Sequence, residues 1–261
     1  MKTLKGASVI VTGASGGIGR ATVEAFLAEG SRVIMGVNRD EGCKDLQEKW
    51  TPERARMVRA DLSQEDDIRN LVNTAAETFG RLDVLVNNGA CLFPMKAMHE
   101  HTQEEFERVI AVNVRGLWLT CKFAYPHLKK SKGNIVSVSS MAGVAGEMSH
   151  SIYSASKGFM NSLTKSMAID YGREGIRCNA VALSSALVPN IDAMIASQPN
   201  AAEIVQLRKD INLLGYTSRP EETANVIVFL ASPKASFITG AIIPVSGGTE
   251  VGYGIKLYQY R

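Results

Sequence analysis

Residues 7–12 are mostly β-branched and apolar, and a turn rich in glycine follows them at once: Gly13-Ala14-Ser15-Gly16-Gly17-Ile18-Gly19. A nearly continuous apolar run this short fits a strand covered on both faces. Behind the turn, Ala21, Val23, Ala25, Phe26 and Leu27 suggest a helix over 20–29 that Gly30 would stop. A strand, a glycine turn and a helix in that order leave few options. Glycine at 13 permits the tight turn, Gly17 lets backbone approach a phosphate, and Gly19 lets helix and strand pack closely. The helix start then offers backbone N–H groups, that of Ile18 among them, and a positive dipole end to a pyrophosphate. The alternative is a purely structural loop.

The same alternation continues along the chain. Strands are predicted at Arg32–Val37, 56–60, Val84–Asn87, 135–138, 177–182 and 241–245. Helices are predicted at 40–49, 68–79 with Gly80 as the stop, 103–130 with a bend, 153–171 and 221–230. Strand after helix throughout predicts βαβ units, hence a doubly wound α/β fold: a parallel sheet of about seven strands with helices on both faces. No repeat or linker interrupts it, so residues 1–261 read as one dinucleotide-binding and catalytic domain. Only 184–218 breaks the rhythm. With Pro189, Pro199, Gly215 and a possible helix over 201–211, it reads as a lid over a ligand, or else a packing appendage.

Composition excludes several classes. The chain is 45% hydrophobic and 21% charged, with a net charge of only +3 spread thinly. That balance argues against nucleic acid and against a membrane surface as partners. Val9-Ile10-Val11 is too short for a signal peptide or a span, so a cytoplasmic protein is expected. Cys43, Cys91, Cys121 and Cys178 lie far apart and fit reduced thiols. His99 and His101 would share a face on a strand, but without further clustered ligands no metal site is expected.

Tyr153 and Lys157 stand at i and i+4, on one face of the predicted helix. A free tyrosine ionises near pH 10, too high for ready proton exchange at neutral pH. A lysine ammonium nearby would favour the phenolate and lower that value. Alone, so short a pattern is more simply a surface tyrosine over an unrelated lysine. His150, three residues before Tyr153, reads either as a substrate contact or as a loop residue near the helix start.

Together the glycine turn, Asn87-Asn88-Gly89, Asn113, Ser139-Ser140 and Tyr153-x-x-x-Lys157 resemble the short-chain dehydrogenase/reductase family in its single-domain subtype, from about residue 5 to residue 250. Ser140 precedes Tyr153 by 13 positions and Asn113 precedes it by 40, separations familiar in that family. The resemblance implies an NAD(P)-dependent oxidoreductase that moves hydride between nicotinamide and a small-molecule carbonyl or secondary alcohol. It gives Tyr153 the acid/base role, has Ser140 bind the substrate oxygen and Lys157 hold the nicotinamide ribose, and links Asn113 to Lys157 through water. As a kink residue, Asn113 would read the same way. The resemblance further implies cofactor contacts at Gly13, Gly17, Ile18, Gly19, Asp61, Leu62, Asn87 and Gly89, a lid at 184–218, and a homotetramer with interfaces at 103–130 and 153–171.

The chain departs from the family pattern in several places. Asn87-Asn88-Gly89-Ala90 exchanges the last two residues of Asn-Asn-Ala-Gly, Leu183-Ser184 replaces Pro-Gly, Val188 replaces threonine, and Ser246 replaces an aspartate. The tail carries Tyr253, Tyr258 and Tyr260, which could pack on a neighbouring subunit. An acidic residue at the end of the second strand would bind the adenosine ribose diol. In the family pattern that position falls twenty-four after Gly13, at Val37, followed by Asn38 and Arg39. With the carboxylate missing, a guanidinium close and Ser15 able to add a hydroxyl, NADP(H) is the expected cofactor, NAD(H) remaining possible, and Val37→Asp should shift selectivity toward NAD(H). Two other functions compete: 3-oxoacyl-thioester reduction, for which Lys129, Lys130 and Lys132 offer the one basic cluster, and a non-catalytic cofactor sensor, which would be expected to lose Tyr153 or Lys157.

Overall fold

A computed structural model describes residues 4–38, 43–92 and 95–251, and only the backbone of Asn190. Arg39 and the tyrosines of the tail lie outside the described residues, as do Phe93 and Pro94.

Seven parallel strands form one sheet in the order β3-β2-β1-β4-β5-β6-β7. They are β1 (Ser8–Thr12), β2 (Arg32–Val37), β3 (Ala55–Arg59), β4 (Val84–Asn87), β5 (Asn134–Ser140), β6 (Arg177–Leu183) and β7 (Ile242–Val245). The order reverses between β1 and β4, and a crevice opens beyond the carboxyl ends of strands at such a switch point. Strands β1, β4 and β5 end along that edge, at Thr12, Asn87 and Ser140.

Because strand side chains alternate, β1 sends Val9 and Val11 to one apolar layer and Ile10 to the other. The first layer is covered by α1 (Gly17–Ala28) and α10 (Pro220–Ala231) through Phe26, Leu27, Ile227 and Leu230. The second is covered by α3 (Glu65–Phe79), α5 (Leu117–Ser131) and α7 (Ser151–Tyr171) through Leu71, Leu128, Met160 and Met167. Phe26, Ile10 and Leu71 are fully buried, each stabilising the fold by about 1.5–3 kcal/mol.

The bend expected within 103–130 is a π-helical turn, Ile110–Gly116, between α4 (Gln103–Val109) and α5. Such turns widen a helix by one residue and often mark functional positions. Here it carries Asn113.

Helix boundaries differ from the sequence reading where glycine and proline intervene. Helix α1 begins inside the glycine turn, at Gly17, because its apolar repeat starts a turn later than its hydrogen bonding. Of the helix expected at 40–49, the described part is α2 (Lys44–Lys49). Pro189 opens a helix that the sequence reading did not place, α8 (Pro189–Ala196), where its missing N–H is no loss. Helix α9 (Ala201–Asp210) follows as expected, and the four-residue α6 (Ala142–Ala145) lies unannounced before α7. The 184–218 insertion is closed at its base by Leu187 N–H to Ser218 O at 2.8 Å and Ser218 N–H to Ser185 O at 3.2 Å. Among the described residues no helix is long and apolar enough to cross a membrane.

Candidate active site

The glycine turn is locked against the end of β4. Gly13 has φ +62°, and a Cβ there would lie 2.6 Å from Gly89 Cα. A Cβ on Gly19 would lie 2.2 Å from Gly13 O, so neither position admits a side chain. Thr12 Oγ1 accepts from the N–H groups of both Asn88 and Gly89 at 3.0 Å. Asn88 Nδ2 donates to the carbonyls of Thr12 and Gly13 at 3.0 and 2.9 Å. The exchanged Gly89-Ala90 pair is therefore compatible with the cradle, since glycine falls where Gly13 needs room. The sequence reading gives Thr12 and Asn88 no site role of their own; adjacent polar residues ending two neighbouring strands are the available signal.

Helix α1 starts at this cradle with Gly16 as N-cap, no side-chain cap bond and no acidic residue in its first turn. Ser15 is exposed and Ile18 half-buried. Uncapped N–H groups and an unopposed positive dipole end fit the pyrophosphate of a dinucleotide. Just beyond β3, Asp61 Oδ1 accepts from Ser63 N–H and Oγ at 2.8 and 2.7 Å. Burial raises its carboxyl, but these bonds and Arg108 hold it below the usual range. Leu62 lies against Gly89, at 2.6 Å from a Cβ placed there. Asn38 is exposed, whereas Val37 is fully buried. The Asn87 amide faces inward, 3.4 Å from Cys121 Sγ and 3.5 Å from Ser137 Oγ, so only its backbone fronts the crevice.

The end of β5 separates the two serines that the sequence could not. Ser139 is buried and donates to Asn161 Oδ1 at 2.6 Å, anchoring α7. Ser140, one residue on, faces the other way; its Oγ accepts from Ala142 N–H at 3.1 Å, lies 3.5 Å from Leu183 O, and sits close enough to the Tyr153 hydroxyl to favour its ionisation. Asn113, 2% exposed, accepts from Cys91 N–H at 2.7 Å and donates to Cys91 O at 3.0 Å and Ser156 Oγ at 3.1 Å. Ser156 in turn donates to Tyr153 O at 2.7 Å. One amide thus ties the loop after β4 to the turn of α7 that carries Tyr153 and Lys157.

Lys157 is 2% exposed; its Nζ lies 5.5 Å from the Tyr153 ring centroid and donates to Val138 O at 2.6 Å. Here the structure corrects the sequence reading. Burial pushes Tyr153 up to about 12, against a lowering bond from Ser140 and with Glu147 adding to the rise. Burial also pushes Lys157 down to about 8. Removal of each charged form from water is the leading cause of each shift. The ammonium's hydrogen bond goes to the backbone.

The loops that depart from the family pattern are cross-tied. Thr249 Oγ1 lies 2.9 Å from both Ser184 Oγ and Asn212 Oδ1, fixing the loop after β6 to the turn after β7. At the position of the lost aspartate, Ser246 hydrogen-bonds Glu250, so a carboxylate returns from four residues away. Leu187 O and Pro189 Cδ would lie 3.6 and 3.2 Å from a Cβ on Gly17, which sets the 184–218 insertion directly on the cradle. A cavity of about 910 Å³ on the insertion's outer side, lined by Ile195, Val205, Tyr216 and Arg219 among others, includes none of the residues expected to react. His101 pairs with Glu105 at 3.1 Å, and Cys43, Cys91, Cys121 and Cys178 are all free thiols.

Comparison with known proteins agrees with this geometry. A family model described as Enoyl-(Acyl carrier protein) reductase matches residues 13–250. L-fucose dehydrogenase of Oryctolagus cuniculus is 34% identical over 249 residues, 95% of this chain and 87% of that protein. Cis-4-hydroxycyclohexanecarboxylate dehydrogenase of Sinomonas cyclohexanicum is 39% identical over 242 residues, 92% and 94% of the two chains. The ligand-free structure of Thermoplasma acidophilum aldohexose dehydrogenase superposes with a TM-score of 0.87 at 32% identity, covering 97% of each chain. These matches run through the cradle, the whole parallel sheet and the segment that holds Ser140, Tyr153 and Lys157, and the chain therefore belongs to the short-chain dehydrogenase/reductase family, nicotinamide-dependent oxidoreductases that interconvert alcohols and carbonyls.

Proposed function

We propose that this oxidoreductase acts on a small hydroxylated molecule, with Tyr153 moving the proton and NADP(H) as the preferred hydride carrier. A bound nicotinamide supplies the hydride acceptor or donor. In alcohol oxidation Tyr153, as phenolate, takes the hydroxyl proton; in reduction the phenol gives it back to the forming alkoxide. Ser140 steadies the negative charge on that oxygen. Lys157 holds the ribose, and Asn113 keeps the Tyr153 turn in place through Ser156. Gly13, Ser15, Gly17, Ile18, Gly19, Asn38, Arg39, Asp61, Leu62, Asn87 and Gly89 border the dinucleotide. The observation that carries this reading is the convergence of Ser140, Tyr153 and Lys157, with Lys157 Nζ 5.5 Å from the Tyr153 ring, at the edge where the cradle opens.

We further read the chain as a single domain with 184–218 as its lid, working as a cytoplasmic homotetramer. Reduction of carrier-bound thioesters is less well supported. Lys129, Lys130 and Lys132 end α5 just before β5 begins, at the amino edge of the sheet and opposite the site, and Lys129 is paired with Glu174 at 2.8 Å. A non-catalytic sensor is disfavoured by the intact Tyr153 and Lys157.

The test is purified protein with NADP⁺ or NAD⁺ and a panel of polyols, sugars and simple secondary alcohols, followed by absorbance of the reduced cofactor. Turnover that disappears in Tyr153→Phe is expected. No turnover on the whole panel, or an unaffected variant, overturns the reading.

A further inference from the structure

The loop between α6 and α7 places a second polar pair beside Tyr153. Glu147 Oε1 lies 3.6 Å from His150 Nδ1, and the His150 ring centroid lies 5.9 Å from that of Tyr153. The His150 side chain is only 17% exposed. Its Nδ1 is buried without a hydrogen-bond partner, since 3.6 Å is beyond hydrogen-bonding distance. A buried ring nitrogen facing a carboxylate at that gap gains by a small closure that makes Nδ1–H the donor to Glu147. Closure also fixes the tautomer and leaves Nε2, on the opposite edge of the ring, as an acceptor.

The loop is built to stay where it is. Ser149 holds φ +61°, a left-handed conformation that strains a non-glycine residue. Its carbonyl accepts from Lys96 N–H at 2.9 Å, and Lys96 is itself paired with Glu105 at 2.6 Å. The segment at Lys96 and the start of α4 are thereby stapled to the Glu147–His150 loop. Glu147 also adds to the rise in the Tyr153 ionisation, so its charge is felt at the proposed reacting centre.

We infer that Glu147 and His150 form a recognition pair for a second substrate hydroxyl: His150 accepts its hydrogen bond on the carbon next to the reacting carbinol, and Glu147 orients the imidazole. The substrates are then vicinal diols and polyols. An isolated alcohol leaves the imidazole unpaired in the closed site, and a hydroxy acid is repelled by the Glu147 charge. His150 is the specificity-determining residue and Glu147 a positioning residue. The inference rests on Tyr153 as the proton-transfer group.

The test compares kcat/KM for butane-2,3-diol with butan-2-ol, for cyclohexane-1,2-diol with cyclohexanol, and for 4-hydroxycyclohexanecarboxylate. Wild-type enzyme should favour each diol over its mono-alcohol by on the order of 10²-fold, with the hydroxy acid no better than the mono-alcohols. His150→Phe should collapse that ratio by lowering kcat/KM on the diols far more than on the mono-alcohols, and His150→Gln should restore part of it. Glu147→Gln should raise KM for the diols roughly tenfold and KM for the mono-alcohols by much less, a split that a purely structural loop residue would not give. Equal wild-type rates on diol and mono-alcohol, or a His150→Phe loss shared by both, overturns the inference while leaving the Tyr153 reading intact. Absence of turnover on every alcohol overturns both.

Discussion

Lys157 Nζ donates to Val138 O at 2.6 Å, with its side chain almost wholly enclosed by β5 and α7. The bond fixes the ammonium one helical turn from Tyr153, but it also commits a charge to a site that burial disfavours. Lys157 is pushed down to about 8 from an ordinary 10.5, and that shift has a sign in the stability. Between about pH 8 and 10.5 the folded lysine has lost its proton while the unfolded one keeps it, so this group makes stability rise with pH across that window. Below about 8 both states carry the charge and the contribution is flat.

Lys157→Met removes the titration. Compared with wild type, the variant should be relatively most stable near pH 7, and the difference should move in favour of wild type as pH rises from about 8 to 10.5. Urea unfolding at a series of pH values checks this. A difference that does not change across the window would mean that Lys157 is not held down by burial.

Tyr153→Phe removes one hydroxyl from a side chain already packed in α7, so fold and cofactor binding should persist. Turnover should fall by about 10² to 10⁴. With the phenol pushed up to about 12, kcat/KM for alcohol oxidation by wild type should climb with pH through the alkaline range, as more phenolate forms. Carbonyl reduction, which uses the protonated phenol, should not climb. Initial rates in both directions over pH 6–10 check the sign, and oxidation that falls with pH would contradict it.

Asn113→Ala should act on both stability and rate. It strips partners from Cys91 N–H, Cys91 O and Ser156 Oγ in a buried place, a loss of about 1–3 kcal/mol in denaturant unfolding. Because Ser156 carries the effect to Tyr153 O, kcat should fall more than KM rises. Unchanged stability would show that the π-helical turn holds its shape without the amide.

The alternation of strands and helices was legible because each element has its own apolar period, and all seven strands were located to within two residues at either end. What sequence could not show follows from physics outside that pattern. Ser139 and Ser140 look alike in the chain and differ only because a strand turns successive side chains to opposite faces. Asn113 reads as a helix interrupter until the π-helical turn and Cys91 supply its partners. The mutual influence of Tyr153 and Lys157 was expected from their spacing, yet burial, which no spacing reports, dominates both groups.

The 184–218 insertion should be the most responsive part of the molecule. Helix α9 has no buried residue, and Arg208 straps it down, reaching Ser185 Oγ at 2.8 Å, Asp192 Oδ1 at 2.6 Å and the Ala186 carbonyl. Hydrogen exchange there should slow when cofactor and substrate bind together, and Arg208→Met should speed it in the free enzyme while leaving the sheet unchanged. Equal protection in free and bound enzyme would count against a lid.

Cofactor choice turns on the end of β2. Val37 is its last residue, fully buried in the same apolar layer as Met35, Cys43 and Leu46, so no carboxylate meets a ribose diol there. That burial also spoils Val37→Asp as a test: the new carboxylate would enter an apolar layer, and lost stability would mask any change in selectivity. Asn38, exposed and next in the chain, is the better position, and Arg39 follows it. A guanidinium beside a 2′-phosphate forms charge-assisted, bidentate bonds that the diol of NAD(H) cannot offer. Wild-type kcat/KM should therefore favour NADP(H) by about tenfold or more, a preference that shrinks as salt screens the phosphate contact. Arg39→Ala should raise KM for NADP(H) by roughly tenfold and leave NAD(H) nearly unchanged, and Asn38→Asp should move selectivity the same way by repelling the phosphate. Steady-state rates with both cofactors decide it. A wild-type enzyme that clearly favours NAD(H), or an Arg39→Ala variant that weakens both cofactors alike, would show that β2 does not select the phosphate.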